Sequence, residues 1–131
     1  MMEIQRNVAM IHFFTDEIEQ VINSVPDTEI TPELSAVIYS LGRDAENKED
    51  CEYAFDQLCR LFERENETVK AQVIQALSMM AVLKKEIKKL DKKVVEPMIL
   101  RAVSCADERN KAIIQDAVDD INYSLKWKLK L

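Results

Sequence analysis

The chain has 131 residues, one glycine, three prolines and a net charge of −6, with 47% hydrophobic and 32% charged side chains. That balance excludes a disordered chain, and so little glycine leaves no material for hairpins or tight turns, so long helices must fill the length. No apolar run approaches the roughly 20 residues of a membrane span, and Met1-Met2-Glu3-Ile4-Gln5-Arg6 lacks the basic and apolar regions of a signal peptide, so a cytoplasmic protein with no membrane partner is expected.

Hydrophobic periodicity predicts helices near 4–24, 32–41, 48–63, 67–84, 94–105 and 108–126. The first carries an apolar stripe of Phe14, Ile18, Val21 and Ile22, with the only histidine, His12, beside Phe13 and Phe14 and the acids Asp16, Glu17 and Glu19 on its polar side. The second opens on Thr31-Pro32-Glu33, which reads as N-cap, first-turn proline and first-turn acid. Its stripe is Ile30, Leu34, Val37, Ile38 and Leu41, and Gly42 stands where a C′ glycine belongs.

The third helix presents Ala54, Leu58, Leu61 and Phe62, and the fourth Val69, Val73, Ala76, Leu77 and Met80 behind the N-cap Asn66. The fifth presents Val95, Ile99, Ala102 and Val103, and the sixth Asn110, Ile114, Ala117, Val118 and Ile121 behind the N-cap Asp107. Both sets of stripes, first helices and second helices, recur every 39 to 41 residues, and only Asn110 breaks the apolar pattern of the second set. A two-helix repeat of that length predicts an all-α fold, a short α-solenoid of three antiparallel pairs in a right-handed stack. The units are about 4–42, 48–84 and 94–126, in a single domain with a tail over 125–131.

Val69-Lys70 followed by Val73, Ala76-Leu77 and Met80 resembles the second helix of a HEAT repeat. Pro97, Asp107 and Lys111 are similar to that family's proline in the first helix, aspartate in the turn and basic residue in the second helix. The first unit departs from the pattern, with Thr31 where the basic residue belongs. The resemblance spans most of residues 13–123 and implies a protein-binding scaffold.

Catalytic chemistry has little to work with. One histidine gives no triad or histidine metal site, no Glu-x-x-His pair exists for a helical di-metal centre, and one glycine rules out a glycine-rich phosphate loop. Neither catalytic residues, metal nor cofactor is expected. Cys51, Cys59 and Cys105 are odd in number, fall in no CxxC spacing and read as small buried hydrophobes. The run from Lys84 to Lys93 is basic but diluted by acids and has no aromatic residue for base stacking, which argues against nucleic-acid binding. The tail Leu125-Lys126-Trp127-Lys128-Leu129-Lys130-Leu131 alternates strictly, which predicts an extended strand that either caps the last pair or meets a partner.

Charge is unevenly spread. Residues 1–66 hold fifteen acidic and five basic side chains, net −10, and residues 67–131 hold nine and thirteen, net +4. Glu46, Glu49, Asp50, Glu52, Asp56, Glu63 and Glu65 gather around the third helix, where their field repels nucleic acid and attracts a basic protein. Opposite the stripes, the second helices present Pro32, Ala36, Tyr39 and Arg43, then Ala71, Gln75, Ser78 and Val82, then Ala112, Asp116, Asp119 and Tyr123. Tyr39, Gln75, Asp116, Asp119 and Tyr123, together with Glu49, Glu52 and Asp56, are the predicted partner-binding residues.

In physical character this small acidic helical chain resembles the immunity proteins of bacterial toxin systems, including contact-dependent growth inhibition. That resemblance implies a monomer that binds one basic toxin domain, such as a nuclease, and covers its active site. A generic HEAT-like adaptor is the alternative. A helical-repeat DNA glycosylase, the enzyme reading, would need a basic groove and a catalytic carboxylate, and the acidic first half opposes it.

Overall fold

Helix starts are written into local side chains, and the computed structural model, which describes residues 17–84 and 90–131, shows a side-chain cap at five of its six described helices. All regular structure among the described residues is helical: α1 (Ile18–Ser24), α2 (Pro32–Arg43), α3 (Lys48–Phe62), α4 (Glu67–Leu83), α5 (Lys92–Ser104) and α6 (Glu108–Leu125). The expected first-helix residues 4–16, with His12 and Phe14, and residues 85–89 of the basic run lie outside the described residues.

Thr31 Oγ1 accepts from the Leu34 N–H, Asn66 Oδ1 from Thr68 and Val69, and Asp107 Oδ1 from Asn110, so all three expected N-caps form. Asn47 and Asp91 cap α3 and α5 in the same way. A side-chain N-cap stabilises its helix by about 1 kcal/mol because it satisfies a backbone donor that has no partner in the first turn.

α4 lies at the centre. It packs along α2 on one side and α6 on the other, while α3 lies against α2 and α4, α5 against α4 and α6, and α1 against α2. Its surroundings explain its sequence: Val69, Ala71, Val73, Ile74, Ala76, Leu77, Met80 and Ala81 are all fully buried, so it is apolar nearly all round rather than along one stripe. Leu58, Leu77 and Ile99, one from each of α3, α4 and α5, are buried as expected.

Gly42 corrects the sequence reading. It does not terminate α2 as a C′ glycine but sits inside the helix, without positive φ, and the chain leaves helical geometry only after Arg43. A Cβ there would lie 2.5 Å from the Ala76 carbonyl oxygen and 2.9 Å from its Cα. Glycine is needed because the backbones of α2 and α4 touch at this point.

Asn110, the polar exception in the stripe, is buried and satisfied. Its Nδ2 donates to Thr68 Oγ1 at 3.2 Å and Glu67 Oε1 at 3.4 Å, tying α6 to the start of α4. Two basic side chains close helix ends elsewhere. Arg64 donates to the carbonyls of Val25 and Ile22 at the end of α1, and Lys70 to those of Phe62 and Arg64 at the end of α3. Lys70 and Arg101 also flank the Phe62 ring, 5.0 and 5.2 Å from its centre.

The tail is not the predicted strand. Lys126 and Lys128 take left-handed backbone at φ 62° and 58°, which breaks any extended run. Asn122 holds the returning chain with both ends of its amide, donating to the Leu129 carbonyl at 2.9 Å and accepting from its N–H at 2.7 Å. Leu129 is buried and Trp127 packs against the core, so the tail folds back beside α6.

Candidate protein-binding surface

The acidic part of the expected surface is carried by α3. Glu49, Glu52 and Asp56 are spaced by three and four residues, which places them on one side of the helix, and all three are exposed. None makes a hydrogen bond or ion pair with a described residue. Asp50 stands behind them, half-buried, and burial raises its carboxyl above the usual carboxylate range, with the charges of Glu49 and Glu46 pushing the same way. The negative charge here is therefore not neutralised within the described chain.

Two other members of the expected set meet directly. The Tyr39 hydroxyl on α2 donates to Gln75 Oε1 on α4 at 2.8 Å, and both residues are half-buried. On α6, Asp116 and Asp119 are exposed, and Asp119 accepts from Gln115 Nε2 one turn earlier at 3.0 Å. Tyr123 is 79% exposed, with Lys126 Nζ 4.8 Å from its ring centre.

The continuous face expected along the second helices is interrupted on α4. Ala71 and Ser78 are buried, 0% and 4% exposed, because α4 is enclosed by four neighbouring helices; their small size serves close helix packing rather than room for a partner. Of the four expected α4 positions, Gln75 is half-buried and only Val82, near the end of the helix, is open. What remains is one exposed surface on α2 with Ala36 and Arg43, and another on α6 with Ala112, Asp116, Asp119 and Tyr123. No hydrogen bond or ion pair among the described residues joins either to the acidic side of α3.

Cys51 is buried and Cys59 half-buried, as the sequence suggests, whereas Cys105 is exposed because it follows α5 at its C-cap. No group of three metal-ligating side chains gathers among the described residues. None of the described helices is long and apolar enough to cross a membrane.

Two clefts were not anticipated. The first, about 380 Å³, lies between α1 and α3, with Glu19, Asp27, Arg60 and Arg64 among its walls. Its Arg64 is committed to capping α1 and lies 3.8 Å from Asp27. The second, about 400 Å³, opens where the N-terminal ends of α2, α4 and α6 converge, and Gln72 and Arg109 line it. Its residues come from three helices far apart in the chain, so no local motif marks it in the sequence.

Comparison with protein-family models, with curated proteins and with solved structures finds no match for the chain.

Proposed function

We propose that the protein binds a basic protein partner and neutralises it by covering it, as an immunity protein covers the active site of a cationic toxin domain such as a nuclease. The observation that supports this reading is the side of α3 carrying Glu49, Glu52 and Asp56, exposed and without a cationic partner among the described residues, next to the raised Asp50 carboxyl. Crowded carboxylates repel one another, and a basic partner relieves that repulsion while being steered toward them. The three helical pairs form a short HEAT-like solenoid in this reading, with α2, α4 and α6 as second helices. The protein acts in the cytoplasm as a monomer until it meets its partner, and performs no catalysis.

Asp119 and Tyr123 supply the second contact region, where a rigid aromatic side chain and an acid lie open on α6. The test is surface-based binding kinetics against a basic toxin nuclease domain, taken from a neighbouring gene if one encodes it, at low and at physiological salt. The triple variant Glu49→Gln, Glu52→Gln, Asp56→Asn is expected to slow association about tenfold, and salt to slow the unaltered protein likewise. Asp119→Ala and Tyr123→Ala are expected to speed dissociation. Salt-independent association with unchanged dissociation in every variant overturns the reading and leaves the HEAT-like adaptor.

A further inference from the structure

The last helix ends on a residue that helix ends seldom use. Lys126 closes α6 in left-handed backbone, φ 62° and ψ 36°, a place usually taken by glycine or asparagine because a Cβ crowds the following carbonyl there. Lys128, two residues on, is left-handed as well, φ 58°. Left-handed backbone at a residue other than glycine costs free energy and persists only where its surroundings impose it. Between the two lysines stands Trp127, the only tryptophan of the chain.

What imposes it here is a small set of contacts. Among the described residues, two side chains supply every hydrogen bond from the helices to residues 127–131: the Asn122 amide, which donates to the Leu129 carbonyl at 2.9 Å and accepts from its N–H at 2.7 Å, and Lys92 Nζ, which donates to the Trp127 carbonyl at 3.4 Å. Leu129 is 8% exposed and Trp127 is partly buried against the core, whereas Leu131 is 50% exposed. One buried leucine, part of a tryptophan and these few hydrogen bonds are set against the entropy of ordering the segment and the cost of two left-handed residues. The sequence favours another state: strict alternation of Trp127, Leu129 and Leu131 with Lys126, Lys128 and Lys130 suits an extended chain with one apolar and one basic side. A local preference in conflict with the observed conformation, in a strained segment held at few points, is what a two-state element requires.

We infer that residues 126–131 are a strap that opens and closes while the described helices stay folded, with Asn122 as its latch. Closed, the strap covers apolar surface with Leu129 and Trp127, reaching from the end of α6 to Lys92 at the start of α5. Opened, it relieves Lys126 and Lys128, uncovers that surface and presents its own apolar side, Trp127, Leu129 and Leu131, along an extended chain. The strap thus gates apolar surface that the closed fold hides. The inference does not rest on the toxin-neutralisation reading.

Amide hydrogen exchange by NMR on the full chain tests it, with the Leu129 N–H reporting the latch and Trp127 fluorescence reporting the cover. The Leu129 N–H is expected to exchange at least about a hundredfold faster than the Val118 N–H within α6, at a rate that low urea leaves unchanged, because local opening exposes little surface. Lys128→Gly, which removes left-handed strain, should slow that exchange about threefold or more, and Lys128→Val, whose branched side chain left-handed backbone tolerates least, should speed it about tenfold. Asn122→Ala should move Trp127 emission to longer wavelength and open it to acrylamide quenching, while the helical circular dichroism stays that of the unaltered chain. Exchange of Leu129 and Val118 at one common, urea-dependent rate, a shift in the same direction from Lys128→Gly and Lys128→Val, or unaltered Trp127 emission in Asn122→Ala each overturns the inference.

Discussion

The Tyr39 hydroxyl reaches Gln75 Oε1 at 2.8 Å, so a residue expected to face a partner is instead bonded to the next helix. Its ring remains partly open, but its polar end is already used to join α2 to α4. Tyr39→Phe keeps the ring and removes the donor, leaving Gln75 half-buried with an unmet acceptor. A loss of about 1 kcal/mol in urea denaturation is expected, with an equal loss in Gln75→Leu and no further loss in the double variant. Additive losses would show that the bond does not couple the two helices.

Gly42 poses a contest between two effects of opposite sign. Replacing a mid-helix glycine by alanine ordinarily stabilises by about 0.5–1 kcal/mol. Here the new Cβ would lie 2.5 Å from the Ala76 carbonyl oxygen, which is backbone and cannot rotate away. Forcing α2 and α4 apart costs about 1–3 kcal/mol, so Gly42→Ala is expected to lower stability on balance. A raised melting temperature would mean that the helices separate at little cost.

Leu77 sits fully buried on α4, the helix that packs against α2, α3, α5 and α6. Leu77→Ala is expected to cost about 2–5 kcal/mol, the lost transfer energy of the side chain plus the cavity it leaves. A loss below about 1 kcal/mol in denaturant melts would place the site at a position able to collapse.

Arg101 on α5 holds Glu63, at the end of α3, through two hydrogen bonds of 2.8 and 3.1 Å. The guanidinium keeps the Glu63 carboxyl below the usual carboxylate range, chiefly by that hydrogen bonding. A depressed carboxyl stabilises the fold above its unfolded-state value, near pH 4.3, and the contribution disappears as pH falls through the lower folded-state value. Both side chains are more than half exposed, so solvent screens the pair and its contribution at neutral pH is small. Arg101→Met, which keeps an apolar stem beside Phe62, should therefore show a small deficit near pH 7 that shrinks in high salt and fades as acid protonates Glu63. A deficit unchanged by acid would assign it to packing on Phe62.

The sequence by itself determined the helices, because the signals for a helix are local. Thr31, Asn66 and Asp107 announce helix starts through bonds spanning three residues, and the apolar stripes repeat at the period of the helix. The exposure of Glu49, Glu52 and Asp56 was legible for the same reason: charged side chains spaced along one side of a helix find no place in an apolar core.

Only tertiary structure decided what surrounds each helix. Ala71 and Ser78 read as an open face until α4 is seen enclosed on all sides, and Gly42 reads as a helix end until Ala76 is found against it. The tail reads as a strand until Asn122 captures Leu129 and two lysines turn left-handed. The cleft holding Gln72 and Arg109 depends on three helix ends that lie far apart in the chain. Periodicity states which side of a helix is apolar; it does not state how many neighbours that helix has, and burial depends on the neighbours.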